Sequence, residues 1–170
     1  MTKKIENNFP HIKDAYMILA DHGASIGKIL ELGRFAWAFG NDLRMEDYLS
    51  TKIFPATRHG ISFSNVEFIP AEHLESFDWA EMGVSIDEVL IELNKLGYRA
   101  AEIRELLAFG MAFPYFKMEN PIVAFGSIGI IPNNTKIVTG IQCHNSKIVV
   151  GVTCPENIHD LKWRLAVVAK

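Results

Sequence analysis

The chain has 170 residues, of which 49% are hydrophobic and 22% charged, and its formal net charge is −3. This hydrophobic content excludes an intrinsically disordered protein. The slight excess of acidic residues excludes nucleic-acid binding through bulk positive charge. The length predicts one domain over residues 1–170, helix-rich over 10–110 and built of strands over 120–170.

No stretch of the sequence resembles a secretion signal or a membrane-spanning helix. Residues 1–8 are polar and charged, and the longest uncharged stretch, residues 120–135, is interrupted by prolines and glycines. Two cysteines are typical of a reducing compartment. We therefore expect a cytoplasmic protein that does not associate with membranes.

The first 57 residues contain two local signals and one segment without a clear pattern. Residues 15–20 are hydrophobic and stop near a glycine, which favours a strand, although a short helix also fits. Ser25 is a typical helix cap, and the hydrophobic spacing after it predicts a helix that ends at Gly33. Within residues 34–57, only a short helix over 42–49 is indicated.

A further strand is predicted over residues 61–70, after a turn at residues 58–60. Its hydrophobic residues change phase along the run, from Ile61 and Phe63 to Val66 and Phe68. Such a change is typical of a β-bulge, which we expect around Asn65.

Two amphipathic helices follow. Ser85 and Glu88 form a capping-box pattern at the start of the first helix, which is expected to end at Gly97. The second helix is predicted from about Glu102 to Gly110. The residues expected to face the core are Ile86, Val89, Leu90, Leu93, Leu96, Ile103, Leu106 and Leu107.

The last third of the sequence is rich in isoleucine and valine and predicts short strands at residues 122–125, 128–131, 136–142, 147–153 and 163–169. Strands joined by hairpin-length turns pair antiparallel. Together with the helices, they predict an α+β fold in which an antiparallel sheet carries helices packed on one face.

One group of residues has the types found in zinc sites, namely Cys143, His144, Cys154 and His159. Their spacing argues against such a site. With a two-residue turn at 145–146, Cys143 lies opposite Ile148 and about 20 Å from Cys154. That distance also excludes a disulfide. We expect no metal, no cofactor and no catalytic cysteine.

A second motif, Gly23-Ala24-Ser25-Ile26-Gly27, matches the Gly-x-Ser-x-Gly pattern of hydrolases. In hydrolases this motif follows a strong buried strand, whereas the hydrophobic run before Ser25 is short. Ser25 is therefore interpreted as a helix cap, and a hydrolase nucleophile is the alternative.

Several segments, taken in order, resemble an uncharacterised family of small bacterial proteins. They are Leu32-Gly33-Arg34-Phe35-Ala36-Trp37, Gly97-Tyr98-Arg99, Glu105-Leu106-Leu107-Ala108-Phe109, Pro121-Ile122-Val123-Ala124-Phe125-Gly126-Ser127 and Leu165-Ala166-Val167. Ala100 and Glu102 stand where that family typically has proline and threonine. The resemblance covers residues 25–170 and implies one continuous domain, with no activity to transfer.

Because no motif combines catalytic residues with a suitable context, we expect a module that binds a protein or a small ligand. A small hydrolase with residues gathered from loops is one alternative. An interference protein encoded by a phage or mobile element is another. A deep pocket holding a titratable residue with a shifted pKa would favour the enzyme. An exposed hydrophobic patch, expected around Trp37 or Trp79, would favour a protein partner.

The expected contact residues are Arg58 and His59 in a turn and Tyr98 and Arg99 between two helices. Both pairs place cationic or aromatic groups beside the ends of predicted elements. Lys95 and Arg104 extend the second pair into a modest basic cluster, which is interpreted as a surface junction.

Overall fold

The computed structural model describes residues 14–38, 43–74, 85–158 and 162–170. In this part of the chain, eight strands form one sheet. They are β1 (Tyr16–Asp21), β2 (Ala36–Trp37), β3 (Ile61–Pro70), β4 (Tyr98–Ala100), β5 (Ile122–Ile130), β6 (Lys136–His144), β7 (Lys147–Thr153) and β8 (Arg164–Ala169). The helices in the same ranges are α1 (Ile26–Gly33), α2 (Met45–Tyr48), α3 (Ile86–Lys95) and α4 (Ile103–Ala112).

The sheet is mixed, with the strand order β1-β3-β8-β5-β6-β7-β2 and with β4 paired to β8. The α+β class is confirmed, but the prediction of a purely antiparallel sheet is wrong. The tight turns do make β5, β6 and β7 antiparallel neighbours. However, the connection after β7 carries the chain back across the sheet, so that β8 enters beside β5 in the same direction. β2 is also parallel to β7.

Helices pack on both faces of the sheet, so the prediction of helices on one face is wrong. α1 and α4 pack on the face that carries Val66, Phe68 and Ala166, hereafter the α4 face. α3 packs through Val89 and Leu93 on the opposite, α3 face, which carries Val123, Phe125, Leu165 and Val167. The four consecutive buried hydrophobic residues 122–125 are typical of a strand covered on both sides.

The bulge expected around Asn65 is absent from β3, and a register shift occurs instead in β5. β3 pairs with β1 and with β8 without any break in register, including at Asn65. The phase change arises because Ile61 and Phe63 are hydrophobic residues on the α3 face that remain exposed. The register instead shifts between Ala124 and Gly129, inside what was predicted as two strands and is the single strand β5.

The two amphipathic helices are present, with corrections at their ends. Ser85 precedes α3 but makes no capping hydrogen bond through its side chain, so the predicted capping box is wrong there. α4 continues past Gly110 to Ala112. A Cβ on Gly110 would lie 2.6 Å from Cε1 of Phe35, so this glycine allows close packing and does not end the helix. None of the described helices is long and hydrophobic enough to span a membrane.

Candidate functional site

The start of α4 is inserted into the sheet, where β5 and β8 separate. β8 pairs with β5 near its beginning and with β4 near its end. Ala101 fills the gap between them: its amide donates to the carbonyl of Ala166, and its carbonyl accepts from the amide of Gly126, both at 2.9 Å. A Cβ on Gly126 would lie 2.6 Å from the Ala101 carbonyl oxygen, so glycine permits this approach.

Two glutamates form a capping box at this helix start. Glu102 is the N-cap of α4, and its side chain accepts from the backbone amide of Glu105. Oε2 of Glu105 accepts from the backbone amide of Glu102 at 2.9 Å. The positive end of the helix dipole stabilises negative charge here. Both residues are buried, with 7% of Glu102 and 0% of Glu105 exposed.

Glu105 is held by a bidentate arginine. Nη1 and Nη2 of Arg99 donate to its two carboxylate oxygens at 2.8 and 2.7 Å, and the Ser64 hydroxyl donates to Oε1 at 2.8 Å. Burial by itself raises the pKa of Glu105, but the hydrogen bonds from Arg99, Ser64 and the Glu102 backbone, together with the Arg99 charge, outweigh it. The pKa of Glu105 therefore lies below its ordinary value.

Glu102 ties the loop before β3 to the helix. The Thr57 hydroxyl donates to Oε1 of Glu102 at 2.8 Å, and Nε of Arg58 lies 3.3 Å from the same oxygen. The other carboxylate oxygen, Oε2, lies 3.2 Å from Nδ1 of His22. The polar residues linked through Glu102 and Glu105, together with Ser62, which contacts His22, are called the α4 polar network. They are His22, Thr57, Arg58, Ser62, Ser64, Arg99, Glu102 and Glu105.

His22 connects Glu102 to a serine hydroxyl. Its Nε2 lies 2.9 Å from Oγ of Ser62, which is half-buried near the start of β3. Because a carboxylate only accepts hydrogen bonds, Nδ1 is the donor to Glu102, so in the neutral imidazole the single N–H is at Nδ1. Nε2 then accepts from the Ser62 hydroxyl. Ser62, His22 and Glu102 thus form the arrangement of hydroxyl, base and orienting acid that is found at nucleophilic centres.

The four predicted contact residues are divided by the structure. Arg58 and Arg99 approach the same oxygen of Glu105, at 3.8 and 2.7 Å. Tyr98 lies on the opposite side of β4 and donates to Oε2 of Glu67 at 3.0 Å. Burial raises the pKa of Tyr98, and this hydrogen bond raises it further. His59 is exposed. Their common role in ligand contact stays a prediction.

The basic cluster around the two helices is not a surface junction at Arg104. This residue is buried, and its Nε donates to the backbone carbonyl of Ala24 at 3.1 Å. Burial lowers the pKa of Arg104 below its ordinary value. Lys95, in contrast, is exposed and pairs with Glu92 at 3.1 Å. The predicted cluster therefore combines a buried structural cation with an exposed one.

The cysteines lie where the hairpin register predicts. Cys143 pairs with Ile148, and the two turn residues between their strands have φ angles of 49° and 60°. Cys143 and Cys154 are both free thiols. Within the described ranges, no three His, Cys, Asp or Glu side chains are grouped so as to hold a metal ion. His159 lies outside those ranges.

The predicted helix cap at Ser25 is confirmed, since its hydroxyl accepts from the amide of Lys28 at 3.3 Å. The serine that contacts a histidine is Ser62, which the sequence analysis missed. His22 was one of six histidines without distinctive spacing, and Ser62 lies in an ordinary strand pattern. The local signal that could have pointed to this network was the Glu102-x-x-Glu105 spacing, which is typical of a capping box at a helix start.

An exposed hydrophobic surface lies on the α3 face at the edge of the sheet. It consists of four residues, the outer β1–β3 face: Met17 (68% exposed), Leu19 (54%), Ile61 (66%) and Phe63 (73%). Leu19 lies directly opposite Phe63 in the antiparallel register, so the surface is continuous. It was predicted elsewhere, around Trp37, which is half-buried, and Trp79, which lies outside the described residues.

Two of the clefts lined by described residues have volumes of about 270 and 300 Å³. The first lies beside Gly140 and Trp163, and the second beside Phe35 and Tyr115. Neither is lined by a residue of the α4 polar network. The shifted pKa of Glu105 therefore belongs to a structural ion pair and not to either of these clefts.

No family model matches this chain, and no curated protein or solved structure matches it either. Its function is therefore inferred from the α4 polar network and the outer β1–β3 face.

The low pKa of Glu105 makes stability depend on acid pH. The unfolded chain takes up this proton near the ordinary value of 4.5, while the folded protein binds it only at lower pH. The unfolded state therefore binds more protons below about pH 4.5, and the free energy of unfolding is expected to fall there as the pH falls. The contribution of Glu105 is fully present at neutral pH.

Urea unfolding at pH 6, 5, 4 and 3 measures the loss of stability with falling pH, and Glu105→Gln should make this dependence less steep. An equally steep loss in that variant would contradict the prediction.

Proposed function

We propose that this protein is a binding module that receives an extended segment of a partner protein along the free edge of β1. The observation that carries the proposal is the outer β1–β3 face, where four hydrophobic side chains are exposed next to that edge. Exposed hydrophobic patches on a protein surface often mark sites of interaction with other proteins.

The backbone of β1 supports this mode of binding. The amide of His22 donates to the carbonyl of Gly60 directly opposite, at 2.9 Å. Backbone groups of alternate residues point to opposite sides of an antiparallel strand. The N–H and C=O groups of Met17, Leu19 and Asp21 therefore point away from β3. Among the described strands, none pairs with β1 on that side.

The side chains define the chemistry of the partner. Met17 and Leu19 present their side chains on the α3 face, and their backbone groups point to the free edge. A segment added beside β1 would place alternate side chains next to these two residues. We therefore expect the partner to contribute an extended segment with hydrophobic residues at every second position, as in other strand-addition complexes.

The experiment is a selection of random eight-residue displayed peptides on the full chain, followed by fluorescence-polarisation measurement of the Kd of the selected peptides. We expect the selected sequences to alternate hydrophobic residues. Leu19→Asp and Phe63→Asp are expected to weaken their binding at least tenfold. On binding, hydrogen exchange is expected to slow at the amides of Met17, Leu19 and Asp21, which point to the free edge in the unbound protein.

Ile130→Asp is the matched control, because Ile130 is also a strand residue and its exposure of 53% is close to the 54% of Leu19. It should leave peptide binding unchanged. Peptides that bind the Leu19→Asp variant as tightly as the original chain, or the absence of enriched peptides, would contradict the proposal.

A further inference from the structure

We propose that Ser62 is a nucleophile, activated by His22 and Glu102, and that the protein cleaves small carboxylic esters at this serine. This activity goes beyond the binding of a partner strand and uses the opposite side of β3. The observation is the continuous contact from Oγ of Ser62 to Nε2 of His22 at 2.9 Å, and from Nδ1 of His22 to Glu102 at 3.2 Å.

The base is held in one orientation. His22 is 1% exposed, and each of its ring nitrogens has a partner. Glu102 is itself fixed by Thr57, by Arg58 and by its place as the N-cap of α4. A histidine fixed in this way keeps its unprotonated Nε2 directed at the hydroxyl, which is the geometry that general-base catalysis needs.

Comparison with Ser64 indicates why Ser62 is the reactive serine. Both lie on the α4 face of β3, two residues apart. The Ser64 hydroxyl is buried and donates to the carboxylate of Glu105. It has neither a histidine partner nor access to substrate. Ser62 is half-buried near the start of the strand, so the residue is partly accessible to solvent, and its hydroxyl contacts His22.

The reaction is acyl transfer. Oγ of Ser62 forms a bond to the ester carbonyl carbon, while Nε2 of His22 takes up the hydroxyl proton. The ester C–O bond then breaks, and His22 returns the proton to the departing alkoxide, which leaves an alcohol and an acyl-serine. Nε2 of His22 then takes a proton from a water molecule, whose oxygen forms a bond to the acyl carbon. The bond between this carbon and Oγ of Ser62 breaks, His22 gives the proton to Oγ, and the carboxylic acid is released.

The experiment treats the full chain with a fluorophosphonate probe, in which a serine oxygen bonds to phosphorus and fluoride leaves. Peptide mass spectrometry then locates the adduct. We expect labelling at Ser62, none at that position in Ser62→Ala, and an unchanged rate in Ser25→Ala, the matched control at the α1 cap. His22→Gln and Glu102→Gln are expected to slow labelling at least tenfold.

Circular dichroism of each variant shows whether it is folded. Ser62→Ala removes only the hydroxyl, so it keeps the test valid if His22→Gln or Glu102→Gln does not fold. Hydrolysis of p-nitrophenyl acetate, with a burst that disappears in Ser62→Ala, would support the same conclusion. The proposal is overturned if the folded original chain gives no adduct at Ser62 while a serine protease is labelled in parallel. It is also overturned if a folded Glu102→Gln variant is labelled as fast as the original chain.

Discussion

Replacing Glu105 by glutamine is expected to lower the free energy of unfolding by about 3–5 kcal/mol, because the variant leaves the Arg99 guanidinium partly buried without its counter-charge. The carboxylate is fully buried and accepts from Arg99, Ser64 and the backbone of Glu102. Glutamine has nearly the same size but no charge, so packing is conserved. Urea unfolding followed by circular dichroism at pH 7 measures the change.

Glu92→Gln is the control for this effect. Glu92 also pairs with a cation, Lys95 at 3.1 Å, but Lys95 is exposed to solvent. Exposed pairs contribute little, so we expect a change of less than about 0.5 kcal/mol. If Glu105→Gln were no more destabilising than Glu92→Gln, the α4 polar network would not be a source of stability.

Gly126→Ala is expected to lower the free energy of unfolding by about 1–3 kcal/mol. The added Cβ would lie 2.6 Å from the carbonyl oxygens of both Ala100 and Ala101. These atoms belong to the backbone, so they can move only if the start of α4 shifts out of the sheet. The Gly126–Ala101 hydrogen bond would be strained by that movement. Urea unfolding measures the loss.

Gly27→Ala serves as the comparison, because a Cβ at this exposed position of α1 meets no atom within 4 Å. Alanine is the better helix former, so we expect this variant to be more stable by about 0.5–1 kcal/mol. Opposite signs for the two glycine variants would show that close backbone approach is what requires Gly126. A neutral Gly126→Ala variant would argue against the insertion of α4 between β5 and β8.

Elements with strong local patterns were predictable. The turn of the β6–β7 hairpin, and with it the pairing of Cys143 with Ile148, followed from turn residues between two valine- and isoleucine-rich runs. The Ser25 cap and the buried positions Val89 and Leu93 followed from helical spacing. In each case the residues that decide the structure are close neighbours in the chain.

The faces of β3 were not predictable in the same way. The phase change between Ile61 and Phe63 on one side and Val66 and Phe68 on the other was interpreted as a bulge, but Ile61 and Phe63 lie on an exposed face of a regular strand. Hydrophobic alternation identifies a strand, and only the position of the strand in the sheet decides which of its faces is covered. The outer β1–β3 face therefore emerged from the structure, although its residues were conspicuous in the sequence.

Local sequence was sufficient for the α+β class, the hairpin and the main helices, because capping, turn formation and hydrophobic spacing act over a few residues. The tertiary structure decided the direction of β8, the placement of helices on both sheet faces and the α4 polar network. Ser62 and His22 are 40 residues apart, and His22 and Glu102 are 80 residues apart. Their contact depends on the register of β1 with β3 and on the insertion of α4 into the sheet. Hydrogen bonds between such distant side chains form only after strand order has brought them within 3 Å or so of one another, and no neighbouring residue in the chain encodes that order.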